Sequence, residues 1–328
     1  MRRLYKKILY ELDLNARETL SNIARSCRTS QQMVSYVMHQ LLEKNIIQGF
    51  STIFDYSRFD LNSYIVLFRL FYTKKTDLDN FLDNLKKVPE LSRFELLEGK
   101  WDVYAVFLAP NPSYFNKLLR KVKMDNKNVI RNDMIITTVV TYSFTRSHLL
   151  GSKSSEKQYV IVGGDRGRID LTENQMKICR LLLENPLIKI KEISKKTGLS
   201  FLTITKAINY MKDEELIRGF KPVIDFEKAG LTCNKLFIKY QHALLIEDQI
   251  VSFCREHPSV VGIVKCFGEW DLIITTECAG SKDFNKFLTE IREKYENMIS
   301  DFEIMKVLKI EELRFVPKNH FEEIEKHR

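Results

Sequence analysis

The chain is written twice, and that constrains its fold more than any other feature. The stretch "EKNIIQGF" (43–50) recurs as "DEELIRGF" (213–220), so that Ile47, Gly49 and Phe50 face Ile217, Gly219 and Phe220. The same register pairs Ile8 with Ile178, Asn15 with Asn185, Ile23 with Ile193, Ser30 with Ser200 and Asp55 with Asp225. After one deletion "VPEL" from Val88 meets "HPSV" from His257, "GKWDV" from Gly99 meets "GEWDL" from Gly268, and Phe115 pairs with Phe284. A unit of about 150 residues, the size of one ordinary domain or two small ones, is therefore present in two copies. Between them "GSKSSEKQYVIVGGDRGRID" (151–170) breaks the periodicity around a short strand-like "YVIV". Residues 147–170 are read as a flexible tether, whose length of about 20 residues reaches roughly 25 Å.

Each copy changes its hydrophobic period once. In residues 1–52, Leu4, Ile8, Leu9 and Leu12 predict one helix, "LSNIARSC" a second, and "SQQMVSYVMHQLLEK" a third. On that third helix Met33, Val34, Val37, Met38, Leu41 and Leu42 are expected to form one apolar stripe. Ser30 and Ser200 stand where an N-cap belongs, with side-chain oxygens able to accept from orphan amides. Three short helices with a tight turn before the third, followed by the "IIQGF" or "LIRGF" exit, predict a (winged) helix-turn-helix in 1–52 and again in 171–222. Residues 61–146 and 231–315 read differently. "SYIVLFRLFY", "LSRFELLEG", "WDVYAVFLA" and "MIITTVVTY" have strand character, with helical spacing over 78–87 and 112–122. The order β-α-β-β-α-β is ferredoxin-like, so the class is α+β. The tail, 316–328, predicts a short frayed helix.

These ordered features, twice over, resemble the Lrp/AsnC (feast/famine) transcriptional regulators along nearly the whole chain. The resemblance implies a DNA-binding domain followed by a module that dimerises and often senses amino acids. In that family two subunits pair through their sheets, so a tandem chain would supply both halves as a covalent pseudo-dimer at high effective concentration. The family's effector pocket lies near the turn between the central strands. Carried over, this places Gly99, Trp101 and Asp102, and Gly268, Trp270 and Asp271, at candidate effector sites for an amino acid. The bland alternative is structural: Gly permits the turn, Trp packs, and Asp caps a backbone amide.

The charge pattern fits a polyanionic partner. The 328 residues carry 52 Lys and Arg against 43 Asp and Glu, a net +9. Residues 1–50 hold eight basic side chains against four acidic, and residues 171–220 nine against six. On the third helix of copy 1, Gln31, Gln32, Ser35, Tyr36 and His39 lie opposite the stripe, and Gln reads adenine edges bidentately. Copy 2 offers Phe201, Leu202, Thr205, Lys206 and Asn209 there, with Phe201 suited to a thymine methyl. Ser30 and Ser200 complete the two candidate surfaces for double-stranded DNA. The turn before the helix reads "GLS" in copy 2 and "RTS" in copy 1, which places Arg28 where glycine is easier and makes it a phosphate candidate. Seven residues after the capping Ser, where the family usually has Arg, stand Val37 and Ala207. Because the two surfaces differ, the predicted operator has unlike half-sites about one helical turn, or a multiple, apart.

Two rival readings remain on the same residues. Sirohaem decarboxylases resemble this unit too and lean on histidines near a porphyrin. The six histidines here (His39, His148, His242, His257, His320, His327) are scattered, and no metal-ligand or nucleophile-base constellation emerges. The sequence is therefore read as a non-enzyme without cofactor or metal. The other rival is an interaction partner that pairs with related regulators, or self-associates, without touching DNA. No apolar run of about 18 residues predicts a bilayer span, and the basic start looks like a first helix. Cys27, Cys179, Cys233, Cys254, Cys266 and Cys278 form no C-x-x-C pair. They are expected as reduced core thiols in a cytoplasm.

Overall fold

The period change within each copy sets the element order. In the computed structural model, which describes residues 3–71, 74–151, 157–241 and 243–321, copy 1 begins with α1 (Arg3–Leu14), α2 (Leu20–Cys27) and α3 (Gln31–Glu43). It continues through β1 (Ile47–Phe54), β2 (Asn62–Leu70), α4 (Lys75–Lys86), β3 (Leu91–Glu98), β4 (Val103–Ala109), α5 (Pro112–Asp125) and β5 (Ile130–Phe144). A short strand, β6 (Tyr159–Gly163), follows. Copy 2 repeats the order as α6 (Glu173–Glu184), α7 (Ile190–Thr197), α8 (Phe201–Asp213), β7 (Ile217–Ile224) and β8 (Thr232–Tyr240). It closes with α9 (Ala243–Glu256), β9 (Val260–Phe267), β10 (Leu272–Cys278), α10 (Ser281–Tyr295) and β11 (Ile299–Leu313).

The compact units do not follow the repeat. Unit 1 comprises Met1–Phe50, Val139–Ile161 and Phe220–Leu308, and unit 2 comprises Ser51–Thr138, Val162–Gly219 and Lys309–Arg328. Each unit therefore joins the helix-turn-helix of one copy to the sheet module of the other.

In unit 1 the sheet runs β11, β8, β10, β9, with the second half of β5 beyond β9. The central pair is antiparallel from Leu272↔Ile238 to Cys278↔Thr232. Phe144, Ile238, Ile250, Ile274, Phe287 and Tyr295 build the core under α9 and α10. Unit 2 has the matching sheet, with the first half of β5, then β2, β4 and β3. Its β2–β4 register runs from Asn62↔Ala109 to Phe68↔Val103. Tyr64, Val66 and Phe68 alternate toward α4 and α5, and Phe68 stacks edge-on against Phe81 at 5.6 Å. Each fully buried Phe of this kind contributes about 1.5–3 kcal/mol.

The wing is not a hairpin within one copy. In unit 1 the start of β1 lies beside the end of β7, where the Asp225 N–H donates to the Ile46 carbonyl at 2.9 Å. In unit 2 the Asp55 N–H donates to the Leu216 carbonyl at 2.9 Å. One strand from each copy makes each ribbon.

Three sequence expectations need correction. The stripe on α3 is narrower than predicted: Val34, Val37 and Leu41 are buried, whereas Met33 and Leu42 are 41% and 38% exposed. A three-helix packing covers only the positions spaced by three and four, so residues at the stripe's edges stay outside. The 147–170 segment is not a free tether where it is described. Lys157 donates to the His257 and Val260 carbonyls in unit 1, and in unit 2 the Gly163 N–H donates to Asp55 Oδ1 at 2.9 Å. Its Gly and Ser content masked these anchoring residues. The tail is packed in its described part, with Val316, His320 and Phe321 buried. Residues 322–328, including His327, and His242 lie outside the described residues. Among the described residues no helix is long and apolar enough to cross a membrane.

Candidate nucleic-acid interface and effector turns

The two third helices are held by the same local device. The Ser30 oxygen accepts from the Met33 N–H at 3.1 Å, and the Ser200 oxygen accepts from the Thr203 N–H at 3.1 Å. Each cap is worth about 1 kcal/mol and points the helix's free amides outward. Before α3, Arg28 closes α2 in the left-handed region at φ +54, while Gly198 does the same for α7 at φ +74. An arginine there costs about 1 kcal/mol that glycine avoids.

Below each helix sits a small core. Ile8, Leu9, Leu12, Ile23 and Cys27 seat Val34, Val37 and Leu41 in copy 1, and Met176, Cys179, Leu182 and Ile193 seat Ile204, Ile208 and Met211 in copy 2. Val37 is fully buried, so the absent arginine at that position removes nothing from the exposed face of α3. The predicted faces divide as follows. Gln31, Gln32, Tyr36 and His39 are exposed and Ser35 is half-buried. In copy 2, Phe201, Leu202, Thr205, Lys206 and Asn209 are all exposed, Phe201 at 56% and Leu202 at 64%. Thr205 Oγ1 donates to the Phe201 carbonyl at 2.8 Å, which turns that hydroxyl inward along the helix. The two surfaces thus differ in kind: amide and phenol on α3, apolar ends with one ammonium and one amide on α8.

The two candidate effector turns close the way the structural alternative describes. Gly99 and Gly268 take φ +147 and +128, which favours glycine. Trp101 and Trp270 are each 3% exposed. Asp102 Oδ2 accepts from the Leu70 N–H at 2.7 Å, and Asp271 Oδ2 from the Tyr240 N–H at 2.8 Å. Lys239 also pairs with Asp271 at 3.0 Å. The turns differ in what surrounds them. Beside Trp101 is an opening of 290 Å³ lined also by Arg69, Lys100, Arg131 and Asn132. Sequence reading missed Arg69 and Arg131, because isolated cations in strands carry no motif.

A second constellation went unread. In unit 1, Arg146 bridges two buried carboxylates: Nη1 to Asp13 Oδ1 at 2.6 Å, and Nε to Glu277 Oε2 at 2.8 Å. Lys221 stands 3.9 Å from Asp13, and His148 3.6 Å from Glu277. Burial alone would raise the Asp13 carboxyl, but Lys221 and Arg146 outweigh it and hold it below the ordinary range. Glu277 is likewise pulled down by Arg146 against its burial. His148 is pushed down by burial, which Glu277 only partly opposes. The available signal was acidic residues inside apolar runs, "YELDL" and "IITTEC". Among the described residues no cluster of His, Cys, Asp and Glu could hold a metal ion.

Residues 172–219 match the family described as M protein trans-acting positive regulator (MGA) HTH domain. The HTH-type transcriptional regulator FL11 of Pyrococcus horikoshii is 27% identical over 121 residues, which is 37% of this chain and 80% of that protein. An uncharacterized HTH-type transcriptional regulator of Pyrococcus furiosus is 27% identical over 124 residues, covering 38% and 82%. Such relatives are about one repeat long, and the resemblance to Lrp/AsnC regulators carried in tandem stands. Among solved structures, the siroheme decarboxylase NirDL aligns over 99% of this chain and 97% of its own, with a TM-score of 0.60 and 13% identity. That likeness is one of fold, and it corrects the reading of the chain as a non-enzyme. An enzyme shares the two-copy architecture end to end, so neither the fold nor the scattered histidines exclude catalysis.

Proposed function

We propose that this chain, a relative of DNA-binding transcriptional regulators, presents two unlike recognition helices, α3 and α8, to one asymmetric operator. The carrying observation is the pair of capped helices with different exposed sets, Gln31, Gln32 and Tyr36 against Lys206, Asn209 and Phe201. On α3 the glutamines read adenine edges and Arg28 meets a phosphate; on α8 Asn209 reads a base and Lys206 a phosphate. Small effectors that carry a carboxylate, such as amino acids, bind beside the turns, with the Trp101 opening of copy 1 favoured by its arginines. The protein works in the cytoplasm, where its six buried, unbridged cysteines stay reduced.

Footprinting on a bound duplex tests the reading. Gln31→Ala with Gln32→Ala should erase protection of one half-site, and Lys206→Ala with Asn209→Ala the other, each at a cost of about 1–3 kcal/mol per lost base pairing. If both double variants weaken all sites equally, the two-headed reading fails. Loss of no protection with either pair favours a partner that acts through related regulators.

A tetrapyrrole decarboxylase is a second reading, favoured by the end-to-end fold likeness alone. Titration with sirohaem discriminates: a saturable Soret shift with loss of carbon dioxide supports it, and an unchanged free-pigment spectrum contradicts it.

A further inference from the structure

The two copies build the same pair of helices on the sheet and fill the groove between them differently. In module 2 the groove is solid with rings. Phe253 packs against His257 at 5.7 Å, Phe287 at 6.3 Å and Tyr295 at 6.0 Å, while His257 meets Phe287 at 4.9 Å. Lys294 covers the Phe253 ring at 5.1 Å. In the register that pairs Phe115 with Phe284, module 1 puts Asn84 for Phe253, Asn126 for Tyr295, Leu118 for Phe287 and Val88 for His257.

Those exchanges leave an open cavity of 590 Å³ between the end of α4 and α5, with Leu85, Val88, Leu118 and Val122 among its walls. This is the size of a small-molecule site, which spans about 300–1,000 Å³. Stability does not ask for it. Asn126 is 8% exposed, and its amide is occupied holding Asn84 at 3.1 Å and the Val122 carbonyl at 2.8 Å. Rings in both positions would bury more apolar area, as the other copy demonstrates.

The charge at the rim changes with the packing. Module 1 has Lys87, Lys117 and Lys121 where module 2 has Glu256, Lys286 and Glu290. Lys117 and Lys121 are exposed and make no ion pair among the described residues. Two carboxylates also line the cavity, Glu90, whose Oε1 accepts from the Tyr114 hydroxyl at 2.5 Å, and Asp125, exposed at the far end of α5, so the three lysines leave the rim with an excess of one positive charge. An apolar slot under unpaired ammonium groups is complementary to an amphipathic anion.

We infer that the groove between α4 and α5 of copy 1 is a binding site for a small carboxylate carried on a ring-sized apolar body. The ring occupies the volume that Phe253 and Tyr295 fill in copy 2, against Leu85, Leu118 and Val122. The carboxylate faces Lys117 and Lys121. The site shares no lining residue with the opening beside Trp101, and its existence does not depend on DNA binding.

Phenylacetate and its cationic counterpart benzylamine are the probes, added to the full chain with labelled leucine and valine methyls. Phenylacetate should give saturable shifts at Val88, Leu118 and Val122, and benzylamine none. Installing the residues of copy 2, Asn84→Phe with Asn126→Tyr, should abolish the shifts while the melting temperature holds or rises. Lys121→Glu, which fills nothing and leaves the core intact, should weaken phenylacetate about tenfold, as loss of one charge-assisted contact does. No saturable shift, equal shifts with benzylamine, or undiminished binding in Lys121→Glu would each overturn the assignment. If the filled variant does not fold, Lys121→Glu and benzylamine decide alone.

Discussion

Both units join a helix-turn-helix to a sheet module from the other copy, yet they do so with opposite chemistry. In unit 1 the junction is ionic, with Arg146 between Asp13 on α1 and Glu277 on β10. Copy 2 has Leu183 at the position of Asp13, and copy 1 has Leu108 at the position of Glu277. In unit 2 Arg180 on α6 donates to the Phe321 carbonyl at 3.4 Å, and Phe321 belongs to an aromatic cluster. Phe54 meets Phe321 at 5.7 Å, and Phe59 meets His320 at 4.6 Å and Phe321 at 5.5 Å. Buried charge adds little net stability but punishes a wrong partner severely. Were the first helix-turn-helix to dock on module 1, Asp13 would be buried without Glu277's bridge and opposite a leucine. Unlike junctions thus favour each helix-turn-helix on the module of the other copy, which a duplicated chain with identical junctions would not.

The largest effect should come from breaking the ionic junction. Arg146→Met removes the bridge between two buried carboxylates, leaves only Lys221 at 3.9 Å from Asp13 and His148 at 3.6 Å from Glu277, and should cost about 3–5 kcal/mol in denaturant unfolding. Combining it with Asp13→Leu and Glu277→Leu, the side chains of the other copy, should recover most of that loss, less what Lys221 forfeits with its counter-charge. If the triple variant is as weak as the single one, the junctions are not equivalent positions.

The aromatic junction should break less steeply. Phe54→Ala empties a fully buried position and should cost about 3 kcal/mol, the low end for a phenylalanine, because Phe59 and Phe321 are at hand to close the gap. Denaturant melts of the two variants compare the junctions directly.

Acid should separate the units next. Burial, then Arg168, pushes His320 down to about 4, below an unfolded value near 6.5. Unfolding therefore takes up a proton between these values, so stability is full above about pH 6.5 and falls toward pH 4, by on the order of 3 kcal/mol. His320→Phe should flatten this window. Asp13 and Glu277 are depressed acids, so their contribution is present above about pH 4 and is lost below it. His148 shifts downward like His320, but Glu277 partly offsets its burial, and unit 1 should soften less above pH 4. Hydrogen exchange across this range reads each unit separately.

The smallest effect tests where the units are alike. Ser30→Ala and Ser200→Ala should each cost about 1 kcal/mol, and by equal amounts.

The repeat, the three-helix and β-α-β-β-α-β orders, the caps at Ser30 and Ser200 and the glycine turns were all legible, because period and capping are local properties of the sequence. The exchange of partners between copies was not. It depends on Asp13, Arg146 and Glu277, three residues far apart in the chain that look like ordinary surface charges until a fold brings them together. The anchored linker escaped for the same reason, since Lys157 and Gly163 sit in a stretch whose glycines and serines signal a loop. At the candidate interface, the exposed faces of α3 and α8 followed from helical spacing, whereas the burial of Val37 depended on how widely α1 and α2 cover α3. The groove of copy 1 needed both copies side by side, because its signal is Asn84 and Asn126 standing where the other copy has rings.

The central claim is that one chain carries two different DNA-reading heads. Selection of bound sequences from random duplex DNA by the full chain, repeated at several salt concentrations, tests it most directly. The account predicts an asymmetric motif of two unlike half-sites, with affinity that falls steeply as salt rises. Enrichment of a perfect palindrome, or of no sequence at any salt concentration, would contradict it.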